Sequence, residues 1–472
     1  MNARFRILPW RPATRPAGAL VVLLVVALGA ALVAAGPAIA PGSSLARAAA
    51  TEDGPGGAGD RRLRLEAIET RPDEPGLAAA LGDLIDLAPG DPIEADDLRA
   101  ARRTIARAGW FETFEVYTAP GSARGQLILH VDGDLDRGVR FETGFGHEPL
   151  DGWYLNLVGA SMRHVFGPAS VARANVQLGQ RRAMTRFEVE ARRVGGSRLD
   201  LLFDASSGNE EWLAYQGDRR YVQGIDRDYT RVGARLHLDR TTSLALWIGA
   251  SRADPGDLAV TGDTWVEPPS DLVGPDQDAQ HFADLRLDLV RDRRDRVQPW
   301  RRGSWTLLRT DVSRPREGGD AFVRTRAAFR GAMPLPGQQA LALRADAAWA
   351  DRGTPYHLRP VFGGQGSVRG FRDASLSGGR GARAMAAAGL EWRVPLLPRG
   401  GDDARVHGVV FADTGRFVDA DGDLGRWSTA LGWGLRVRLP WVERIALDAG
   451  IPLTPTATED AFWVHGSLGF GF

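Results

Sequence analysis

Residues 136–472 alternate between apolar and polar side chains, and this period of two constrains the fold more than any other feature of the sequence. Phe187, Val189 and Ala191, for example, interleave with charged neighbours. In an extended chain successive side chains point to opposite faces, so each segment has one apolar and one charged face. The same pattern recurs at residues 199–205, 232–239, 283–289 and 341–349.

The length of these segments separates two classes of β-protein. A soluble β-sandwich also alternates, but its strands are shorter and turn their apolar faces inward. Segments of ~9–11 residues with charges on one face are typical of a transmembrane barrel. Because the bilayer core holds no water, only a closed sheet satisfies every backbone group. We therefore predict an all-β transmembrane barrel over residues 135–472, with apolar side chains facing lipid.

The connections support a count of about sixteen antiparallel strands, an even number as in bacterial single-chain barrels. Long links should lie at the outer end of the barrel and short turns at the periplasmic end. The long links are predicted at 207–228, 253–280 and 351–380, and short turns at 195–197, 239–242 and 333–339.

A small α+β domain is predicted at residues 61–134. Strand patterns at 62–68, 114–118 and 126–131 flank two helical patterns, at 77–85 and 98–108. This β-α-α-β-β order, with the Ala-Gly-Trp-Phe-Glu turn at 108–112, resembles a POTRA domain. The open edge of such a sheet can accept a client strand through backbone hydrogen bonds. The alternative is a spacer that only positions the barrel.

The first fifty residues have the order of a secretory signal peptide. Four arginines between Arg4 and Arg15 precede an apolar run at 19–35, and small residues follow up to Ala50, where we expect cleavage. An uncleaved membrane anchor is the alternative. Residues 51–60 are a Gly-rich linker, and no later run of ~18 apolar residues could form a spanning helix.

Composition excludes several kinds of chemistry. The chain has 59 basic and 59 acidic residues, so it lacks the basic excess of a nucleic-acid binder, and it has no cysteine. Its eight histidines show no metal-ligand spacing. Asp419, Asp421 and Asp423 are weighed as a calcium loop, but Leu424 occupies the position that needs glycine. We expect no catalysis, no cofactor and no bound metal.

The last segment carries apolar residues at period two and ends in phenylalanine. This pattern resembles the C-terminal sorting signal of outer-membrane barrels, and it places the chain in the bacterial outer membrane with its N-terminal domain in the periplasm. We expect it to form one side of the barrel seam, with the segment at 137–146 on the other. Its apolar residues are Phe462, Val464, Leu468, Phe470 and Phe472.

A glycine-rich motif lies in the link before the twelfth predicted segment. Val368-Arg369-Gly370-Phe371, within residues 363–371, resembles the Val-Arg-Gly-Phe/Tyr motif of the BamA/TamA-like outer-membrane assembly-factor superfamily. Residues 389–396, 411–415 and 291–303 resemble strands and a turn of the same family in the same order.

The resemblance implies that this loop folds into the lumen and locks to the barrel wall. Arg369 would meet Asp413, and Glu391 is a second candidate partner. Without the motif, the default for Arg369 would be a solvated loop arginine. Phe411 shares the parity of Asp413, so the resemblance requires an aromatic ring in the lumen beside the carboxylate.

The function that the resemblance implies is insertion or translocation of client proteins, by β-augmentation at the POTRA edge and the seam. The implied partners are outer-membrane lipid, unfolded clients and accessory subunits. A single POTRA domain departs from the family, whose members have two or more, and favours a specialised role. The alternatives are a passive porin-like channel and a surface antigen or adhesin.

Overall fold

The computed structural model describes most of the chain from Leu63 to Gly469. The described residues are 63–148, 152–216, 219–261, 278–295, 301–377, 379–396, 405–437, 444–454 and 461–469. The predicted signal peptide (1–50), the linker (51–60), Phe470 and Phe472 lie outside these ranges.

The N-terminal α+β domain is a four-stranded sheet with two helices. Its strand order is β2-β1-β4-β3, and β1 and β4 run parallel. We expected three strands; the fourth is a two-residue strand paired with β1, which is too short to show periodicity. The elements are β1 (Leu63–Arg71), α1 (Leu77–Ile85), β2 (Pro92–Ile93), α2 (Ala95–Ala108), β3 (Phe111–Pro120) and β4 (Gln126–Leu135).

Local sequence sets the limits of α2. The backbone N–H of Glu94 donates to the Asp97 carboxylate at 2.8 Å, and acidic residues suit the positive N-terminal end of a helix. Gly109 ends the helix with a φ of 59°, and its N–H donates to the Ile105 carbonyl. The helix packs its apolar stripe on the sheet, where Ile105 and Leu129 are fully buried.

Sixteen antiparallel strands close into a barrel, so the predicted fold class is confirmed. The strands are β5 (Val139–Glu148), β6 (Gly152–Arg163), β7 (Val171–Gly179), β8 (Arg182–Ala191), β9 (Leu199–Gln216), β10 (Arg219–His237), β11 (Thr242–Thr261), β12 (Gln280–Asp292), β13 (Gly303–Pro315), β14 (Phe322–Pro334), β15 (Ala340–Ala350), β16 (Ala384–Pro395), β17 (Val406–Val418), β18 (Ser428–Val437), β19 (Arg444–Pro452) and β20 (Trp463–Gly469).

The two faces of the wall differ in charge. On β9, Leu199 and Leu201 are exposed on the outside, whereas Asp200 and Asp204 are buried inside. Each inner carboxylate meets arginine across the ladder; Arg186 and Arg231 both bind Asp204. The alternation read from the sequence is therefore an outer apolar belt and an inner network of ion pairs. No helix among the described residues is long and apolar enough to span a membrane.

One predicted long loop is wrong, and a second begins later than predicted; residues 262–277 of that second link lie outside the described residues. Residues 207–228 were expected to be a loop, but β9 and β10 run through them with a two-residue gap at 217–218. Likewise, β11 continues to Thr261, well past the predicted loop start at Ala253. The reason is physical: beyond the apolar belt the outer face needs no apolar residues, so alternation fades while the ladder continues. The link at 351–383 is a true loop between β15 and β16.

The N-terminal domain lies against one end of the barrel, here called the near end. The Arg240 guanidinium binds the Asp91 carboxylate through both terminal nitrogens, the longer contact being 3.0 Å. At a neighbouring turn, Arg193 binds one oxygen of the Asp83 carboxylate through Nε and Nη2. The His164 ring donates from Nε2 to the Trp110 carbonyl at 2.9 Å. Three turns of the barrel thus hold the domain in place.

Candidate functional site: a loop locked inside the barrel

The loop at 351–383, here called the inner loop, is buried inside the barrel at residues that the sequence singled out. Val368 is fully buried and Phe371 is 4% exposed. Both pack with Phe362 against small residues of the wall, Ala387 and Ala430. An apolar cluster on the inner side of the wall therefore seats the motif.

Arg369 is the most extensively bonded residue of the inner loop. Its Nε donates to Asp413 Oδ2 at 2.7 Å and its Nη2 to Oδ1 at 2.9 Å, a bidentate pair. The backbone N–H of Arg369 also donates to Asp413 Oδ2, at 3.1 Å. Both side chains are almost completely buried. Three hydrogen bonds to one carboxylate fix both the backbone and the side chain of the loop tip.

Two further carboxylates complete the surroundings of the Arg369 guanidinium. Its Nη1 donates to Glu391 of β16 and lies 3.4 Å from Asp448 of β19. We call Arg369, Asp413, Glu391 and Asp448 the lock. Since the three carboxylates belong to β16, β17 and β19, one side chain ties three strands to the inner loop.

Three arginines of the wall that the sequence analysis did not name pair with the carboxylates of the lock. Arg344 donates to Asp413 at 2.7 Å and to the carbonyl of Ser367 at 2.8 Å. Arg393 donates to Glu391 at 2.9 Å, and Arg436 to Asp448 at 2.6 Å. The buried carboxylates are thus neutralised from both the wall and the loop. The sequence signal that could have identified these arginines is an inward-facing position on a strand, as for Arg393, which lies two residues after Glu391 on the same face.

Phe411 occupies the lumen beside Asp413, as the parity of the strand requires. It is 2% exposed, and the guanidinium carbon of Arg369 lies 3.7 Å from the centre of its ring. A guanidinium stacked on an aromatic face gains from the ring quadrupole, most of all where water is excluded. The aromatic ring is therefore a fourth contact of Arg369.

The lock also requires two glycines. Gly370 has a φ of 98°, and it lies directly against Gly450 of β19. A Cβ placed on Gly450 would lie 2.5 Å from the Gly370 nitrogen, closer than real contacts allow. The loop backbone therefore meets the wall backbone with no room for a side chain between them.

Both ends of the inner loop, at Tyr356–His357 and at Gly379, rest on the opposite wall, where β9 and β10 extend beyond the apolar belt. The Trp212 indole donates to the Gly379 carbonyl at 2.9 Å, and Tyr356 bonds to the Gln223 amide. Arg227 donates to the carbonyl of His357. The inner loop is thus supported on two sides of the lumen.

The seam of the barrel lies between β20 and β5. Among the described residues these strands pair at one position, Leu468 opposite His147, whereas β19 and β20 pair at seven. The His147 ring donates from Nδ1 to the Gly466 carbonyl at 2.7 Å. Phe462 and Val464 are exposed on the outer face. The first strand runs 139–148, slightly later than the predicted 137–146.

The described residues contain no cluster of three or more side chains suited to a metal ion. Asp419, which was weighed as a calcium ligand, instead accepts hydrogen bonds from the backbone N–H groups of Asp421, Gly422 and Asp423. Its carboxylate closes a turn between β17 and β18.

Most of the barrel sequence matches a known protein family. The Omp85 superfamily domain matches residues 165–472. The chain belongs to the Omp85 superfamily. No curated protein matches its sequence. Omp85 membership and the barrel fold make it an outer-membrane protein, and they support a role as an insertion or translocation factor.

Solved structures share the fold of this Omp85 protein at low identity. A BamA from Haemophilus ducreyi lacking POTRA domains 1–3 is 15% identical, with a TM-score of 0.59, covering 86% of this chain and 83% of that one. CdiB from Acinetobacter baumannii is 13% identical with a TM-score of 0.52, covering 86% and 74%. CdiB from Escherichia coli is 16% identical with a TM-score of 0.51, covering 86% and 76%.

Proposed function

We propose that this Omp85 protein inserts client proteins into the outer membrane, or passes them across it, by pairing a client strand with its barrel seam. The observation that carries the proposal is the single described pairing between β20 and β5. Other neighbouring barrel strands share at least seven described pairs, so this junction has the fewest pairs among the residues that the structure describes. A strand edge with unpaired N–H and C=O groups is a template for another chain.

The N-terminal domain would act as a single POTRA domain in the periplasm. Its β3 forms one edge of the sheet and pairs only with β4 among the described strands. Ion pairs of near-end turns with Asp83 and Asp91 hold the domain against the barrel, and the bond from His164 to the Trp110 carbonyl lies directly before β3. An extended client segment could therefore add to β3 before it reaches the seam. Outer-membrane lipid contacts the apolar belt, and accessory subunits would bind the same domain.

The lock would hold the barrel in shape while its seam is open. It ties β16, β17 and β19 to the inner loop, and all three strands lie on the β20 side of the seam. A wall reinforced in this way can lose the pairing at the seam without unravelling from the end.

Photocrosslinking in cells tests the seam as the client site. A photoreactive residue replaces Phe145 or Val464, two outward side chains beside the seam that are 58% and 55% exposed. The control replaces Val232 of β10, which is 56% exposed and far around the barrel. We expect unfolded outer-membrane clients to be trapped from the two seam positions and not from Val232.

Equal trapping at all three positions, or none at any, would contradict the proposal.

Conductance distinguishes the passive channel. A large current through purified protein in planar bilayers, with no client dependence, would favour a channel. Deletion of far-end loops that removes binding to a host surface would favour an adhesin.

A further inference from the structure

The inner face of the terminal strand contacts the inner loop at alternate residues. Trp463, His465 and Ser467 share one parity of β20, opposite to the outward Phe462 and Val464. Residues two apart on a strand lie on the same face. These three inward residues were absent from the sequence analysis, which followed the apolar face alone.

Three contacts join this face to residues 365–373. The Gln365 amide donates to Ser467 Oγ at 3.3 Å. The Asp373 carboxylate lies 3.6 Å from Nδ1 of His465. The Arg372 guanidinium stacks over the Trp463 ring, 5.1 Å from its centre.

The contacts differ in position from the lock. The lock ties the inner loop to β16, β17 and β19. Gln365, Arg372 and Asp373 instead contact β20, whose edge towards β5 forms the seam. On that edge β20 has one described pair with β5. The strand is therefore held by its ladder with β19 and from inside by the loop.

We infer that Gln365, Arg372 and Asp373 form an inner clasp that keeps β20 in the wall and sets the width of the seam. The inference rests on the proposed function in one respect only, that a client strand pairs at the seam. The residues of the clasp are positioning residues, because they act on a client through the strand that they hold. With the clasp intact, β20 stays fixed when β5 moves away, and the client pairs with a rigid edge.

A distance measurement across the seam tests the clasp without any client. The chain has no cysteine, so Val464→Cys and Leu155→Cys give two unique sites for spin labels. Leu155 lies on β6 and is 45% exposed, and neither residue belongs to the clasp or the lock. Pulsed electron paramagnetic resonance on purified protein then reports the distribution of distances between them.

The variant Gln365→Ala, Arg372→Ala, Asp373→Ala removes the clasp. We expect a new population that is longer by at least one strand spacing, about 5 Å. The matched control is Arg380→Ala. Arg380 lies on the same loop as the clasp, and the substitution removes only its exposed ion pair with Asp421. It should leave the distribution unchanged. An unchanged distribution in the triple variant, or the same shift in the control, would overturn the inference.

A second arm tests whether the protein still traps clients when β20 is fixed covalently to the inner loop. Asp373→Cys with His465→Cys allows a disulfide between loop and strand in place of the native contact. We expect crosslinked protein to trap clients from Phe145 as the native protein does. Failure to trap clients in any form sinks the proposed function, whereas the distance measurement alone decides the clasp.

Discussion

Arg369 contacts three carboxylates from three strands, and the nearest of them in sequence is twenty-two residues away. Its side chain is 2% exposed. A buried guanidinium of this kind is held by complete pairing, so its removal leaves Asp413, Glu391 and Asp448 without their shared partner. Arg344, Arg393 and Arg436 would still pair with one carboxylate each, but none of them replaces the Nε and Nη2 hydrogen bonds of Arg369 to Asp413.

Arg369→Ala should therefore lower the free energy of barrel unfolding by about 3–5 kcal/mol, the usual cost of breaking one side of a buried ion pair. The measurement is the urea concentration at which half of the detergent-solubilised protein still migrates as the folded band on a gel. Arg380→Ala is the control, since its pair with Asp421 is exposed and is expected to contribute at most about 1 kcal/mol. Equal midpoints for the two variants would show that the lock does not stabilise the barrel.

Gly450→Ala tests the backbone approach in the lock. The added methyl would lie 2.5 Å from the Gly370 nitrogen, so either the loop or β19 must move. We expect a loss of about 1–3 kcal/mol, as for overpacked cores, and faster cleavage of the inner loop by added protease. Gly366→Ala is the matched control, because nothing lies within 4 Å of a Cβ at that position. Protection of the loop in Gly450→Ala would contradict this account.

The limits of the sequence are clear at this scale. The motif resemblance named Asp413 and Glu391, and the structure places both against Arg369. Arg344, Arg436 and Asp448 carried only inward parity, which many charged residues of the barrel share. Which inward charges meet the loop depends on register around the barrel and on where the loop folds. Neither follows from periodicity within one strand.

Among the elements, the short turns at the near end connect the two domains. His164, in the turn between β6 and β7, bonds from Nε2 to the Trp110 carbonyl and accepts from the Ala169 N–H at Nδ1. Only a neutral ring can do both, because a protonated Nδ1 no longer accepts. Burial lowers the pKa of His164 below its ordinary value of 6.5.

The junction between the domains should therefore weaken in acid. The released ring takes up a proton more readily than the buried ring, so the contact is fully present above pH ~6.5 and is lost as the pH falls below that value. Glu74 opposes this effect, whereas Arg137 and Arg163 add to it. Protection of the amides at residues 164–170, measured as hydrogen exchange relative to the intrinsic rate at each pH, should fall as the pH is lowered from ~8 to ~5.

His164→Asn should flatten that pH dependence, because it removes the titrating ring. The control is His130→Asn, which removes a histidine stacked on Tyr117, away from the barrel turns. If His130→Asn flattens the profile as much as His164→Asn does, the effect belongs to the domain and not to the junction.

Element lengths show where sequence reading succeeded and failed. The sixteen strands were predicted because every strand crosses an apolar belt that enforces alternation. The extensions of β9, β10 and β11 were missed because those strands have 18, 19 and 20 residues, about twice what a bilayer requires. Outside the belt, backbone pairing and polar contacts such as Ser207–Asp228 and Asn209–Asp226 maintain the ladder.

At the scale of the whole molecule, the inner loop occupies the lumen. It lies between the extended wall of β9 and β10 and the lock on the other side. One cavity beside Arg227 and Arg324 has a volume of about 310 Å³. A barrel filled in this way should conduct poorly.

Deletion of residues 361–377 with a short glycine linker should raise single-channel conductance severalfold in planar bilayers. The control deletes part of the far-end loop at 316–321, which lies between β13 and β14. That deletion should leave conductance near the native value. A native protein that already conducts as well as the deletion variant would show that the loop does not obstruct the lumen.

The two supports of the inner loop have a consequence for the order in which the molecule is built. One lies at Trp212, 167 residues before its partner, and the other reaches Ser467, 102 residues after Gln365. The loop cannot settle until nearly every strand is in place, since contacts so distant along the chain form late. Its burial is thus a closing step of biogenesis, and an unfinished barrel would carry the loop outside, open to periplasmic proteases.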